Sequence, residues 1–260
     1  MPPRILVRPV QRHYDVTDVR TITIIPTYNE RENACEIIEC VLGAAPLTDI
    51  LLVDDSSPDG TADLVGERFA GDRRVSVLKR TGTRGLGRSY VDGYLWALRN
   101  GYDRIAQMDA DFSHDPKYLP TMLAEADGAD VVIGSRYCEG GGVRNWPVRR
   151  QLLSRFANRY VAAVTRIPVR DATSGFRVHS RAALERMDVD QIVSNGYAFQ
   201  VEMSYRAHAR GLRIAESPIV FVDRTLGKSK MSGGVIWESV LMPWRLRFGR
   251  AAQPIPRSAL

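Results

Sequence analysis

Two carboxylates stand one residue apart in Asp109-Ala110-Asp111, directly after the apolar-flanked run Arg104-Ile105-Ala106-Gln107-Met108. Side chains at i and i+2 of an extended backbone point the same way, so Asp109 and Asp111 can share one ligand. Hard carboxylate oxygens suit Mg2+ or Mn2+, and Mg2+ is usually held by one or two carboxylates together with substrate phosphates. A D-x-D triplet alone is common, and solvated acids at a loop edge would look the same. Its weight comes from order along the chain. Pro26-Thr27-Tyr28-Asn29-Glu30 follows a first β-branched run, and Asp54-Asp55-Ser56-Ser57-Pro58-Asp59-Gly60-Thr61 follows a second. Three acidic, turn-rich strand ends in succession point to one site for a nucleotide and a metal.

The two earlier segments each support more than one role. Tyr28 offers a ring that can stack on a base, and Glu30 can accept hydrogen bonds from a base or ribose edge. Taken alone, a strand-to-helix turn with Asn29 or Glu30 near the helix start is the simpler reading. Adjacent carboxylates such as Asp54 and Asp55 repel each other unless a cation or donor lies between them. Asp54 suits a base or ribose contact and Asp55 a place near the metal, while Ser56–Gly60 makes the turn. The stretch from Gly82 to Gly87 is a poor dinucleotide fingerprint, because Tyr90 stands three residues after Gly87 and the loop follows the third strand. It reads as a tight helix entry close to phosphates.

These residues need a frame that brings strand ends together. Segments 21–25, 50–53, 75–78, 105–108 and 129–133 read as strands, with helices over 30–42, 61–69, 86–99 and 116–126. Such alternation predicts an α/β fold: a mostly parallel, Rossmann-like sheet flanked by helices, with ligands bound beyond the carboxyl ends of the strands. After residue 135 the pattern changes to a helix over 148–166 with an arginine-rich face. A loop follows at 171–177, then a helix over 197–210, a strand over 214–222 and a helix over 233–248.

The chain has 260 residues, 44% hydrophobic and 25% charged, and no Pro/Gly/Ser-rich linker divides it, so a single domain is expected. Residues 1–20 and 251–260 read as loose tails, and 1–20 lack the apolar core of a secretory signal. The net charge is +6. Arg144, Arg149, Arg150, Arg155, Arg159, Arg166 and Arg170 crowd the middle, which suits anionic partners. Aromatics do not interleave with these residues and no nucleic-acid motif is present, so phosphate ligands and a membrane surface are favoured over nucleic acid. Cys35, Cys40 and Cys138 form no disulfide framework and indicate a reducing compartment. No apolar run reaches the ~20 residues needed to span a bilayer. Segment 233–250 mixes Trp237, Leu241, Trp244, Leu246 and Phe248 with Arg245, Arg247 and Arg250. That pattern fits an amphipathic helix in a membrane interface, or a core-packing helix with a basic end, kinked at Pro243.

In this order the motifs carry a resemblance. PTYNEREN (26–33), VDDSSPDGT (53–61), MDADFSHDP (108–116), GSRY (134–137), RRQLLSRFAN (149–158), TSGFR (173–177), GYAFQVEM (196–203) and FVDRTLGKSK (221–230) resemble the inverting glycosyltransferases of family 2. Those enzymes have the GT-A fold, and the chain is most similar to the dolichol-phosphate and polyprenol-phosphate mannose synthases among them. The resemblance implies a GT-A domain over 21–232. It implies nucleotide-sugar contacts from Pro26, Tyr28, Glu30, Val53, Asp54, Asp55, Asp109, Ala110, Asp111, Arg224 and Lys230, with Ser229 beside the last. Asp109 and Asp111 would hold Mg2+ or Mn2+. Ser113 stands where many relatives carry Gln, so no third protein ligand is implied. Arg136, Arg150 and Ser154 would receive the acceptor phosphate, and Asp111, Arg136 and Arg224 would be the catalytic set.

The implied reaction moves mannose from GDP-mannose to a polyprenyl or dolichyl phosphate, with inversion, at the cytosolic face of a membrane. The protein would be cytoplasmic and peripheral, with or without a separate membrane subunit. A departing nucleoside diphosphate needs its charge neutralised. An acceptor phosphate with a second pKa near about 6 needs no general base, only forked cationic contacts that hold it against the donor. Two rivals share these features: a family 2 enzyme with a UDP-sugar or another phosphorylated acceptor, and a non-catalytic nucleotide- or phospholipid-binding module. Tyr197 and Glu202 face either the sugar pocket or the core, and Asp171 is either a helix stop or a pocket residue.

Overall fold

The structure, a computed structural model, describes residues 19–192, 194, 196–223 and 233–249. Nine strands form two sheets among the described residues. The larger runs β3 (Val75–Lys79), β2 (Thr48–Asp54), β1 (Thr21–Thr27), β4 (Arg104–Gln107), β7 (Arg177–Ser180), β5 (Val131–Ser135), β8 (Ile214–Pro218). The smaller pairs β6 (Gly142–Arg144) with β9 (Val220–Val222). β1 pairs in parallel with β2 and β4, and β2 with β3. Strand β2 is buried at every position and β1 at all but its first. Continuous apolar runs rather than alternation are what a sheet covered on both faces requires.

One apolar cluster packs α1 (Ala34–Ala44) and α4 (Leu119–Glu125) on one face, around Ile25, Ile37, Ile38, Ile50 and Met122. The other packs α3 (Leu86–Arg99) and α7 (Gly196–Ala209) around Ile22, Leu51, Tyr90, Tyr94 and Phe199. α5 (Val148–Thr165) and α8 (Gly233–Phe248) pack outside that second face and against each other. α2 is Thr61–Arg68 and α6 is Arg181–Arg186.

Three elements depart from expectation. The segment ending the 171–177 loop continues into β7, which is inserted antiparallel between β4 and β5. Its sequence, Arg177-Val178-His179-Ser180, carries too much polarity to read as a central strand. The single strand expected over 214–222 is broken: β8 ends at Pro218, which donates no ladder hydrogen bond, and β9 leaves for the second sheet. The helix expected over 116–126 is a 3-10 turn at Pro116–Tyr118 followed by α4, because Pro120 lacks the N–H that a continuous helix would use.

β4 and β5 both run antiparallel to β7, so they share a direction with β1 and β2. Thr27, Asp54, Gln107 and Ser135 therefore end their strands at one edge, where the chain re-enters through Ser174-Gly175-Phe176 into β7.

Candidate active site

A cleft of about 550 Å3 opens over that edge. Its lining brings together Pro26, Tyr28, Glu30, Asp55, Asp109, Ala110, Asp111 and Arg150. The three acidic strand ends thus meet, although 81 residues separate Tyr28 from Asp109 (109 − 28). Arg84, Ser113, Thr173, Gly175, Gln200 and Asp223 complete much of the wall.

Asp109 is placed from three sides. Tyr90 Oη on α3 donates to its Oδ1 at 3.0 Å. Its backbone N–H donates to His114 Nδ1 at 3.2 Å. That ring is buried between Phe176 and Phe221, and burial pushes its pKa down, so a neutral imidazole accepts at Nδ1. Gly175 closes the third side: a Cβ there would lie 3.3 Å from His114 Cε1 and 3.5 Å from Asp109 Oδ2. Asp111 is held by the turn that follows it. Phe112 takes φ 59°, and the Ser113 N–H and hydroxyl both reach Asp111 Oδ1, at 3.1 and 2.5 Å. Ser113 orients the carboxylate in the place where many relatives carry Gln.

This pair fits a divalent cation. Each carboxylate is half-buried and steered by hydroxyl donors, and a carboxylate oxygen with such a bond still has lone pairs for a metal. Among the described residues no group of three or more His, Cys, Asp or Glu gathers to hold a metal. The protein's share is two carboxylates, which leaves the remaining positions to phosphate and water oxygens, as is usual for Mg2+.

The Asp54-Asp55 repulsion is resolved by opposite partners. Asp54 turns inward and accepts from Ser57 N–H at 2.9 Å, Ser57 Oγ at 2.5 Å and Thr27 Oγ1 at 3.2 Å. It caps the turn behind the cleft rather than lining it, and Val53 is likewise in the core. Asp55 faces the cleft, paired with buried Arg80 and accepting from Gly85 N–H at 2.7 Å. Arg80 also meets Asp92 at 2.6 Å and the Thr83 carbonyl at 3.2 Å, so Asp55 anchors the loop that enters α3. That loop delivers Arg84, which the sequence did not single out. Its guanidinium lies 4.6 Å over the Tyr28 ring and donates to Tyr28 Oη at 2.6 Å. An arginine flanked by Gly82 and Gly85 was the available signal.

The basic residues divide as well. Arg150 lines the cleft, donating to Asp223 at 2.7 Å and stacking 4.1 Å over Trp146. Arg136 does not line it. Its fork closes on Asp171, with Nε and Nη2 each at 2.7 Å, and Nη2 also reaches Thr173 Oγ1 at 2.7 Å. The expected forked phosphate contact is therefore occupied by a carboxylate, and Thr173, not Arg136, forms the wall. Asp171 is neither helix stop nor pocket residue but the buried partner of that arginine. Ser154 accepts from Tyr137 Oη at 2.7 Å, one helical turn beyond Arg150 and outside the lining. Arg224, Ser229 and Lys230 lie outside the described residues, as does the Tyr197 side chain.

Glu202 belongs to the core, paired with Arg206 at 2.8 Å and with the Ser194 hydroxyl. Gln200, two residues earlier on α7, lines the cleft instead. Its Oε1 accepts from Gln107 Nε2 at 3.3 Å, and Gln107 also meets the Gly175 carbonyl at 2.8 Å, Tyr94 and His179. Burial pushes His179 down to about 3, helped by Arg177, so the ring is neutral. Arg177 is fully buried and draws in the carbonyls of Ser174, Ala172 and Gln200 at 2.8, 2.8 and 3.1 Å, which pins the loop that carries Gly175.

Paired carboxylates at strand ends, above a cleft walled by arginines, are the fold and site of a glycosyltransferase. The fold is shared with glucosyl-3-phosphoglycerate synthase from Mycobacterium tuberculosis, solved with Mn2+, UDP and glucosyl-3-phosphoglycerate. The TM-score is 0.64 at 17% identity, covering 95% of this chain and 88% of that one. It is shared too with a mannosyltransferase from Pyrobaculum calidifontis in complex with GDP-Man and Mn2+, at TM-score 0.51 and 17% identity, over 100% and 81% of the chains.

Sequence carries the assignment further. Residues 22–188 match Glycosyl transferase family 2, and the chain belongs to that family. It is 46% identical over 245 residues to the polyprenol monophosphomannose synthase of Mycolicibacterium smegmatis, covering 93% of this chain and 89% of the relative. It is 45% identical over 235 residues to the undecaprenyl-phosphate mannosyltransferase of Micrococcus luteus, covering 90% and 96%. Among the described residues no helix is long and apolar enough to cross a membrane.

Proposed function

We propose that the protein transfers mannose from GDP-mannose to a polyprenyl or dolichyl phosphate, releasing GDP, with Mg2+ or Mn2+ held by Asp109 and Asp111. The observation that carries this reading is the convergence of Asp109, Asp111 and Arg150 on one cleft, in a chain about as similar to two polyprenyl-phosphate mannosyltransferases as they print. The bound cation would neutralise charge on the departing diphosphate. Tyr90 and Ser113 keep the two carboxylates aimed at it. Tyr28, Glu30 and Arg84 form the nucleotide end of the cleft. At the other end Arg150 takes the acceptor phosphate, exchanging Asp223 for phosphate oxygens. Arg136, fixed by Asp171, supports that wall through Thr173. Arg224 and Lys230 remain, by resemblance, the proposed partners of the donor diphosphate. The acceptor arrives as a phosphate that is already anionic, so its attack needs positioning rather than proton removal. Such an acceptor lives in a membrane, and we place the protein at its cytosolic surface.

Incubating the purified chain with a short prenyl phosphate, Mg2+ or Mn2+, and GDP-mannose or a UDP-sugar tests the reading. Transfer from GDP-mannose alone supports it. Transfer only from a UDP-sugar moves the protein to another branch of the family, and transfer from neither leaves a nucleotide-binding module.

A further inference from the structure

The outward face of α5 is apolar where a soluble helix would be polar. Val148, Leu152, Leu153 and Phe156 are 69%, 61%, 62% and 68% exposed. On a helical wheel they fall with exposed Arg149 and Arg159 on one broad arc, while Asn158, Val161, Val164 and Thr165 face the core. α8 extends that face. Trp244 Nε1 donates to Tyr160 Oη on α5 at 2.7 Å, and Trp244 stacks on Phe248 at 5.7 Å, with both rings at least half exposed. Large apolar side chains clustered on a surface mark an interaction site rather than ordinary exposure.

Charge selects the occupant. No Asp or Glu occurs anywhere in 140–170, whereas seven arginines do. Exposed apolar residues interleaved with arginine, and no acid among them, match an anionic lipid interface, where the helix lies in the plane with its apolar side chains below the headgroups. The same first turns of α5 put Arg150 on the opposite side, into the cleft. A phosphate at headgroup depth would then stand one helix width from the reaction site.

We propose that the α5 face, extended by Trp244 and Phe248, docks the protein on a bilayer carrying anionic lipids. The inference rests on the acceptor being a lipid phosphate, but docking itself is measurable without acceptor. The test is sedimentation of the full chain with vesicles of phosphatidylcholine, with or without phosphatidylglycerol, comparing wild type, Leu152→Glu/Phe156→Glu and Arg149→Gln/Arg159→Gln. Wild type is expected to bind the anionic vesicles, and each buried Leu or Phe is worth about tenfold in partitioning, so the first variant should lose at least that much. The arginine variant should lose its preference for phosphatidylglycerol. Transfer to a short, water-soluble prenyl phosphate should be unchanged in the Leu152→Glu/Phe156→Glu variant, while transfer to vesicle-embedded acceptor falls. Equal vesicle binding by wild type and the Glu variant overturns the proposal. So does a wild-type dimer, indifferent to vesicles, that the Glu substitutions make monomeric. Inactivity on every acceptor with docking intact would refute the enzymatic reading and leave this one standing.

Discussion

Asp171 receives Arg136 through a two-point fork, with Nε and Nη2 both 2.7 Å from its oxygens and both side chains buried. The Arg136 backbone N–H adds a third contact at 3.0 Å, and Thr173 hydrogen bonds to both partners. Strand β5 is thereby bolted to the loop before β7 at the edge where the cleft opens. Removing one partner of such a buried pair strands the other's charge. Asp171→Ala should cost about 3–5 kcal/mol in denaturant unfolding. A loss under 1 kcal/mol would show that the pair does not organise this edge.

Acid stability has two windows with the same sign. Burial, helped by Arg177, moves His179 from 6.5 down to about 3. A depressed folded pKa means that the unfolded state takes up the proton first, so stability is full above about pH 6.5 and falls as pH drops towards 3. The loss approaches about 1.4 kcal/mol per unit across that window. Asp171 acts lower. Burial pushes its carboxyl up, but the Arg136 guanidinium and its hydrogen bonds outweigh that and hold it below its ordinary value. Its contribution is lost below the usual carboxylate range. Unfolding free energies from pH 7.5 to 4 should fall for wild type and be visibly flatter for His179→Gln.

Tyr90→Phe removes one hydroxyl from Asp109 and nothing from the core stack with Phe199. The fold should lose about 1 kcal/mol. Divalent-cation affinity, read from the Mn2+ dependence of activity, should weaken about 10–100-fold as expected when an outer-shell partner is lost. An unchanged Mn2+ dependence would separate Tyr90 from the metal.

Gly175→Ala puts a methyl group 3.3 Å from His114 and 3.5 Å from Asp109. The neighbours must yield by a few tenths of an ångström, beside the carboxylate that has to be aimed. Turnover should fall about tenfold or more while the thermal midpoint moves little, and Gly175→Val should be worse on both counts. Full turnover in the Ala variant would mean that Asp109 tolerates displacement.

What could be seen in the sequence was local. β1 and β2 announce themselves because both faces are buried and their apolar runs are unbroken. Asp109 and Asp111 stand out because their spacing alone aligns them. The remainder depends on chain closure. The polar stretch Arg177–Ser180 becomes a central strand because Gln107, 70 residues away (177 − 107), and the carbonyls of the preceding loop satisfy it. Asp54 and Asp55 look alike until Ser57 claims one and Arg80 the other. Arg136 and Arg150 read as one phosphate cluster, yet Asp171 and Asp223 take them separately.

The most direct test of the central claim is a parallel measurement of Mn2+-dependent GDP binding and of mannose transfer from GDP-mannose to a short prenyl phosphate, in wild type and in Asp109→Asn/Asp111→Asn. The account predicts a folded variant with an unchanged thermal midpoint, no Mn2+ enhancement of GDP binding, and transfer reduced at least about a hundredfold. Transfer at the wild-type rate from that variant would contradict it.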